Sequence, residues 1–97
     1  MEKYTFLAFD LGATSGRSVV GTLADGKIEI KERTRFPNGI IELHGKFYWN
    51  LMGLYQALKE ALVACVKAGI KPVSIGIDTW GIDLVPLGVD GSILSMP

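Results

Sequence analysis

The chain has one cysteine, Cys65, and one histidine, His44, and each scarcity closes a class of chemistry. A single thiol excludes internal disulfides, and with them the small stapled folds of secreted proteins, so the expected compartment is the cytoplasm. A single imidazole excludes metal centres built on several histidines. Net charge is missing too: ten Lys and Arg balance ten Asp and Glu. There is no basic footprint for nucleic acid or an anionic membrane surface. No apolar run approaches the roughly 18 residues of a membrane span, and the first residues carry neither a secretory apolar region nor a small-residue cleavage site. Repeats, linkers and low-complexity tracts are absent, as are the two glycine-loop fingerprints G-x-x-x-x-G-K-[ST] and G-x-G-x-x-G.

The chain does have an ordinary globular mix, with 48% hydrophobic and 21% charged residues over 97 positions. That length allows one thin-cored domain, or part of a larger one, burying roughly 60 to 65% of its unfolded surface. Residues 4–9 form an apolar, aromatic-rich run stopped by Asp10 and Gly12, which suits a central strand buried on both faces. Residues 18–23 are β-branched and short, and Asp25-Gly26 is the dipeptide of a two-residue hairpin. A third strand over 28–36 carries Glu29, Lys31, Glu32, Arg33 and Arg35, as an edge or a solvated face would. Residues 40–49 read as a loop with room for short strands around a turn at His44-Gly45. Asn50 is placed to cap a helix whose Leu51, Leu54, Tyr55, Leu58, Ala61, Leu62, Cys65 and Val66 share one face, with Gly69 as its stop. Cys65, on that face, reads as a small buried hydrophobe. A strand over 73–77, an apolar run that reads as buried, then ends in Asp78 as the first ended in Asp10, and a right-handed crossover makes the two parallel. A final strand over 82–87 leads to a hairpin signal at Asp90-Gly91.

Two strand ends carry the chemistry. In the first, Gly12, Ala13, Thr14, Ser15 and Gly16 supply closely spaced backbone N–H groups and two hydroxyls, followed by the Arg17 guanidinium. Consecutive N–H donors make a concavity for anions. Asp10 would repel a phosphate directly but can hold a hydrated Mg²⁺ that bridges to one. The turn leads into a strand rather than a helix, which sets it apart from loops that use a helix N-terminus. A tight glycine turn with an Asp bonded to its own backbone would account for the same residues without a ligand. In the second, Asp78, Thr79, Trp80, Gly81 and Asp83 lack positive charge and suit a polyhydroxylated ligand, the indole covering C–H faces and the polar groups fixing hydroxyls. Here the alternative is that Trp80 is core and Asp83 a turn cap.

The run Asp10-Leu11-Gly12-Ala13-Thr14-Ser15-Gly16-Arg17 resembles the first phosphate loop of the actin-like ATPase superfamily. With Arg35-Phe36-Pro37-Asn38-Gly39, Trp49 and Ser74-Ile75-Gly76-Ile77-Asp78-Thr79-Trp80-Gly81-Ile82-Asp83, the chain resembles the N-terminal part of the FGGY carbohydrate kinases, nearly end to end. The resemblance implies an α/β, ribonuclease H-like (actin-like ATPase) domain, here partial, in β-β-β-α-β order with a mixed sheet. Residues 1–97 would form the first portion of the sugar-binding domain, with the C-terminal domain of the same polypeptide absent. It implies ATP and Mg²⁺ as cofactors and transfer of a phosphoryl group to the C1 hydroxyl of a ketose, L-rhamnulose. By the same resemblance Ala13, Thr14, Ser15, Gly16 and Arg17 contact the ATP phosphates, Asp10 holds Mg²⁺ through water, and Gly81 contacts the sugar, with Trp80 and Asp83 as further walls. The family's catalytic Asp base is expected downstream, so these 97 residues alone should be inert, and their exposed strand edges should favour dimers. The competing readings are a kinase of another ketose or polyol, such as fuculose or xylulose; a two-metal nuclease using Asp10 and Asp78; and an actin-like scaffold, which needs no sugar wall.

Overall fold

A computed structural model describes residues 3–97. Six strands and one helix follow in the order β1 (Tyr4–Leu11), β2 (Ser15–Ala24), β3 (Lys27–Pro37), β4 (Ile40–Leu43), β5 (Lys46–Trp49), α1 (Leu51–Lys67) and β6 (Ser74–Asp78). The first sheet has the order β3-β2-β1-β6, with β1 antiparallel to β2 and parallel to β6. The central first strand, the three-stranded meander, the crossover helix and the mixed sheet are therefore all present. Both hairpin turns use left-handed pairs, Asp25-Gly26 at φ 56° and 71° and His44-Gly45 at φ 53° and 76°, matching the right-handed twist of the strands they join. The second of these turns makes β4 and β5 a hairpin of their own, so the short strands that 40–49 had room for are formed around His44-Gly45.

Helix α1 forms because both of its ends are satisfied. The Asn50 side chain accepts from the Gly53 N–H at 3.0 Å. A Cβ on Gly53 would lie 2.4 Å from the Asn50 amide, so the absent side chain is what lets the cap close. At the other end Gly69, at φ 73°, donates to the Val66 carbonyl while Ile70 donates to Cys65. That is the paired-bond glycine stop, and Ile70 folds back onto the core as the motif favours.

The core lies on one face of the sheet. Leu7 and Phe9 of β1, Val20 of β2, and Ala61 and Cys65 of α1 pack together, with Leu58 and Ile70 against them. Register explains the selection: Leu7 pairs with Val20 and Phe9 with Ser18, so these side chains share the helix side. Ser18 is fully buried there, and its hydroxyl is satisfied by Thr34 Oγ1 at 2.5 Å. Tyr55, Leu62 and Val66, which share the apolar face in the spacing, remain exposed on α1.

Three expectations are corrected. Strand β1 is buried on one face only, because nothing covers the opposite face, where Ala8 is exposed. Strand β6 is exposed throughout, with Ile75 at 52% and Ile77 at 59%, because it is an edge that α1 does not reach across. No strand forms over 82–87. Ile82 takes a left-handed φ of 69°, Pro86 has no N–H to give, and a single Leu87–Ile93 bridge remains. That bridge closes a tight loop in which Gly88 donates to Ser92 and Gly91 sits at φ 87°.

The chain exposes 7125 Å². A self-contained domain of its 10.5 kDa would expose about 5,400 Å². Its radius of gyration is 16.0 Å against about 12.5 Å for a compact domain of this length. Among the described residues no helix is long and apolar enough to cross a membrane.

Candidate functional site

The glycine turn joins β1 to β2 at the end of the sheet. Gly12 donates to the Ser15 carbonyl at 3.0 Å, so its own N–H faces inward and closes the turn. Ala13 and Thr14 are exposed at its tip, and their N–H groups have no hydrogen-bond partner among the described residues. Those two amides, with the Thr14 and Ser15 hydroxyls, are the donors left for an anion. Gly16 is buried: a Cβ there would come within 2.3 and 2.4 Å of two carbons of the Phe36 ring. Its backbone is thus overlaid by β3.

Asn38 holds this turn from the far side. Its N–H donates to the Thr14 carbonyl at 3.1 Å, and its side-chain Nδ2 donates to the Gly12 carbonyl at 2.9 Å. The side chain is buried, and its Oδ1 has no partner among the described residues. Asn38 belongs to the Arg35–Gly39 run singled out in the sequence, but composition gave it no role. Only the β2–β3 register, which sets Ser15 against Pro37, brings it under the turn.

Register also aligns the charges. Asp10 pairs with Arg17 across the β1–β2 ladder and with Asp78 across the β1–β6 ladder, so two carboxylates end neighbouring parallel strands. Arg17 is not free: its Nε and Nη2 bind Asp10 Oδ2 at 3.0 and 2.8 Å, with both side chains about half exposed. Beyond it Arg35 binds Glu32, whose carboxyl is held below its ordinary range chiefly by that hydrogen bond, with the Arg35 and Arg17 charges adding to it. A cation–anion ladder therefore crosses three strands beside the turn.

Among the described residues no group of three or more His, Cys, Asp or Glu could enclose a metal ion. Asp10 and Asp78 still offer hard oxygen donors. Asp10 engages Arg17 through Oδ2, while Asp78 Oδ1 accepts from the Thr79 N–H at 3.0 Å, which leaves one oxygen on each without a protein partner among the described residues. Two carboxylates completed by water and phosphate are the set that Mg²⁺ accepts, because it keeps several waters.

The second strand end leads straight into the aromatic site. Trp80 and Trp49 lie with ring centroids 4.6 Å apart, tilted by 47°. Both indole N–H groups donate to the same oxygen, Asp83 Oδ2, at 2.6 Å from Trp80 and 2.9 Å from Trp49. With Leu11, Leu54 and Thr79 these three line a cavity of about 300 Å³, otherwise walled by apolar side chains. Gly81 is exposed, with open space around its Cα. The structure thus brings Trp80 and Asp83 together on one wall, next to Gly81 in the loop. Trp49 is the residue that sequence reasoning used only as a landmark before the helix.

No protein-family model matches the chain. Among solved structures, gluconate kinase from Lactobacillus acidophilus superposes on 98% of this chain with a TM-score of 0.75, at 18% identity and over 19% of its own length. A Ppx/GppA family member from Aquifex aeolicus covers 80% of the chain with a TM-score of 0.56 at 17% identity. These likenesses show the fold, an α/β domain of actin-like ATPase type with its mixed sheet present in part. In sequence, rhamnulokinase of Bacteroides thetaiotaomicron is 46% identical over 95 residues, which is 98% of this chain and 20% of that protein. Rhamnulokinase of Halalkalibacterium halodurans is 49% identical over 81 residues, and that of Enterococcus faecalis is 42% identical across the whole chain. The chain is a relative of the rhamnulokinases, matching about a fifth of their length with nearly all of its own.

Proposed function

We propose that this chain is the first portion of the sugar-binding domain of an ATP-dependent kinase that phosphorylates L-rhamnulose on its C1 hydroxyl. The observation that carries the reading is the meeting, at the ends of neighbouring parallel strands, of an anion-accepting turn and an indole-walled cavity. Ligand sites of α/β sheets open at that end. The rhamnulokinase relatives narrow the sugar.

Phosphoryl transfer asks a protein mainly for positioning and charge stabilisation. Ala13 and Thr14 would give backbone N–H groups to the ATP phosphates, and Thr14 and Ser15 their hydroxyls. Gly16 would keep the turn close to β3, and Arg17 would give its guanidinium once it is shared with, or released from, Asp10. Asp10, with Asp78 beside it, would hold Mg²⁺ through water. The ion neutralises charge on the phosphates when bound. Gly81, Trp80 and Asp83 would bound the sugar, the carboxylate accepting from hydroxyls and the indole covering C–H faces. The base that removes the C1 proton, and the second half of the ATP site, would come from the rest of the polypeptide. Paired carboxylates at Asp10 and Asp78 would equally suit a two-metal nuclease. A chain with no net charge and an indole wall favours the sugar.

The test is ADP release by the protein carrying this segment within its full reading frame, supplied with Mg²⁺-ATP and L-rhamnulose, L-fuculose or D-xylulose. Preference for L-rhamnulose supports the reading. Equal or better turnover of another ketose, or none, removes it. The 97-residue chain alone should give no sugar-dependent ADP.

A further inference from the structure

Asp83 does something that a turn cap or a plain hydrogen-bonding wall does not. One of its oxygens accepts from two indoles that arrive from different parts of the chain, Trp49 from the end of β5 and Trp80 from the loop after β6. Its other oxygen has no partner among the described residues, and the residue is exposed. A carboxylate oxygen can accept two N–H donors, and bonds to an ionised acceptor are short and strong. The backbone is bent to achieve this: Ile82, β-branched, is held in the left-handed region immediately before Asp83.

We propose that Asp83 is a positioning residue that locks Trp49 and Trp80 into one rigid platform, and that Trp49 is a specificity-determining wall of the sugar site alongside Trp80. This rests on the sugar-kinase reading above for the identity of the ligand, but not for the clamp itself. The platform suits a ligand with an apolar C–H face and a hydroxyl at its edge. The face lies on the tilted indoles, and the hydroxyl donates to the free Asp83 oxygen. Fixing both rings before binding removes the ordering cost that two mobile tryptophans would impose on the ligand. It also gives the β4–β5 hairpin, which is not part of the main sheet, a place in the site.

Trp49 and Trp80 are the chain's two tryptophans, so their coupling can be read optically in this chain. Closely packed indoles give an exciton couplet in far-ultraviolet circular dichroism. The couplet should be present in wild type, kept in Asp83→Asn, which retains an acceptor oxygen, and lost in Asp83→Leu. Its absence from wild type, or its persistence in Asp83→Leu, overturns the clamp whatever the substrate. In the protein with its full reading frame, Trp49→Phe should raise the KM for L-rhamnulose about five- to tenfold, the scale of one aromatic contact, and leave kcat and the ATP KM within twofold. Asp83→Asn should raise the sugar KM less than Asp83→Leu. A sugar KM unchanged in Trp49→Phe, in protein whose thermal unfolding shows it folded, overturns the wall assignment and leaves Trp49 as packing. Failure of wild type to phosphorylate L-rhamnulose removes the substrate reading instead, and the couplet still decides the clamp.

Discussion

Replacing Gly16 by alanine tests whether the β1–β2 turn is shaped by packing from β3. The new Cβ would sit 2.3 and 2.4 Å from two Phe36 ring carbons and 3.2 Å from Leu11 Cδ2. Ordinary carbon contacts lie at about 3.5 to 4.0 Å, so the ring must move by more than an ångström. Alanine in place of a strand glycine gains about 0.5 to 1 kcal/mol in backbone terms. Forcing an extra methyl into a filled site costs about 1 to 3 kcal/mol. The clash wins, and the net loss should be about 1 kcal/mol, or about 4 to 8 °C in Tm for a domain of this size. Urea unfolding of Gly16→Ala in the native and the Phe36→Leu backgrounds measures it. Leucine lacks the ring atoms that collide, so the penalty should largely vanish there, leaving a coupling energy of about 1 kcal/mol. Equal penalties in the two backgrounds would refute the packing account and move the cause to the turn's own backbone. The same pair of variants separates structure from binding. If the double variant regains stability but not its ATP KM, Gly16 also serves the phosphate by its smallness.

Three further outcomes are expected. Asn38→Ala removes the bond to the Gly12 carbonyl and should cost about 1 to 2 kcal/mol in urea unfolding, with a raised ATP KM; a stability change under 0.3 kcal/mol would mean that the turn holds itself. Asp10→Asn breaks a half-exposed ion pair, so its stability cost should stay below about 1 kcal/mol. In the full reading frame, turnover in the proposed kinase reaction should nevertheless fall by about a hundredfold or more, the scale of losing a charge-stabilising group; parallel losses in both would deny Asp10 a role beyond the pair. Glu32, whose pKa is depressed below the ordinary 4.5 first by its bond to Arg35, should titrate below that value by carboxyl NMR. Its contribution to stability is therefore present above pH 4.5 and disappears as the pH falls through the folded value. The difference from Glu32→Gln should shrink in acid and in high salt, and a midpoint at or above 4.5 would contradict the ladder.

The elements that local rules govern were legible in the sequence. Asn50, the apolar spacing after it and Gly69 define α1 because caps and periodicity are properties of adjacent residues. Asp25-Gly26 fixed the first hairpin for the same reason. The buried or exposed state of β6 was not legible. Val73, Ile75 and Ile77 read as a core strand, and in this chain they form an uncovered edge, because burial is decided by what packs on a strand. Residues 82–87 failed likewise: their apolar residues fit a strand, yet beyond the single Leu87–Ile93 bridge nothing pairs with them, and a ladder cannot form without a partner. In the site, Asp10 and Trp80 stood out as residue types at a strand end. Asn38 and Trp49 did not, since each acts across 26 and 34 positions of sequence and becomes visible only in three dimensions.

The surface that this chain leaves uncovered bears on the proposed site. The face of the sheet opposite α1 carries Ile28 and Ile30 on β3, both largely exposed, with Val19 and Gly21 of β2 and Phe6 and Ala8 of β1 between them and the β6 edge. A surface larger by about a third than a self-contained domain of this mass would show is what a sheet displays when a layer is missing from it. The rhamnulokinase relatives are about five times as long, so the polypeptide that would supply such a layer is the same one that would supply the catalytic base and the second ATP contact. The candidate site residues are placed by strand pairing, by the hydrogen bonds of the turn and by one shared carboxylate. Asp10, Asp78 and Arg17 are set by strand pairing, and the turn by Gly12, Gly16 and Asn38. Trp49 and Trp80 are joined by a shared carboxylate, and Trp49 is also held by the β4–β5 ladder and by its N–H donating to the Pro97 carbonyl. Asp83 is the side chain that joins the two indoles, and a substitution there should disorganise the indole wall while the sheet stays folded.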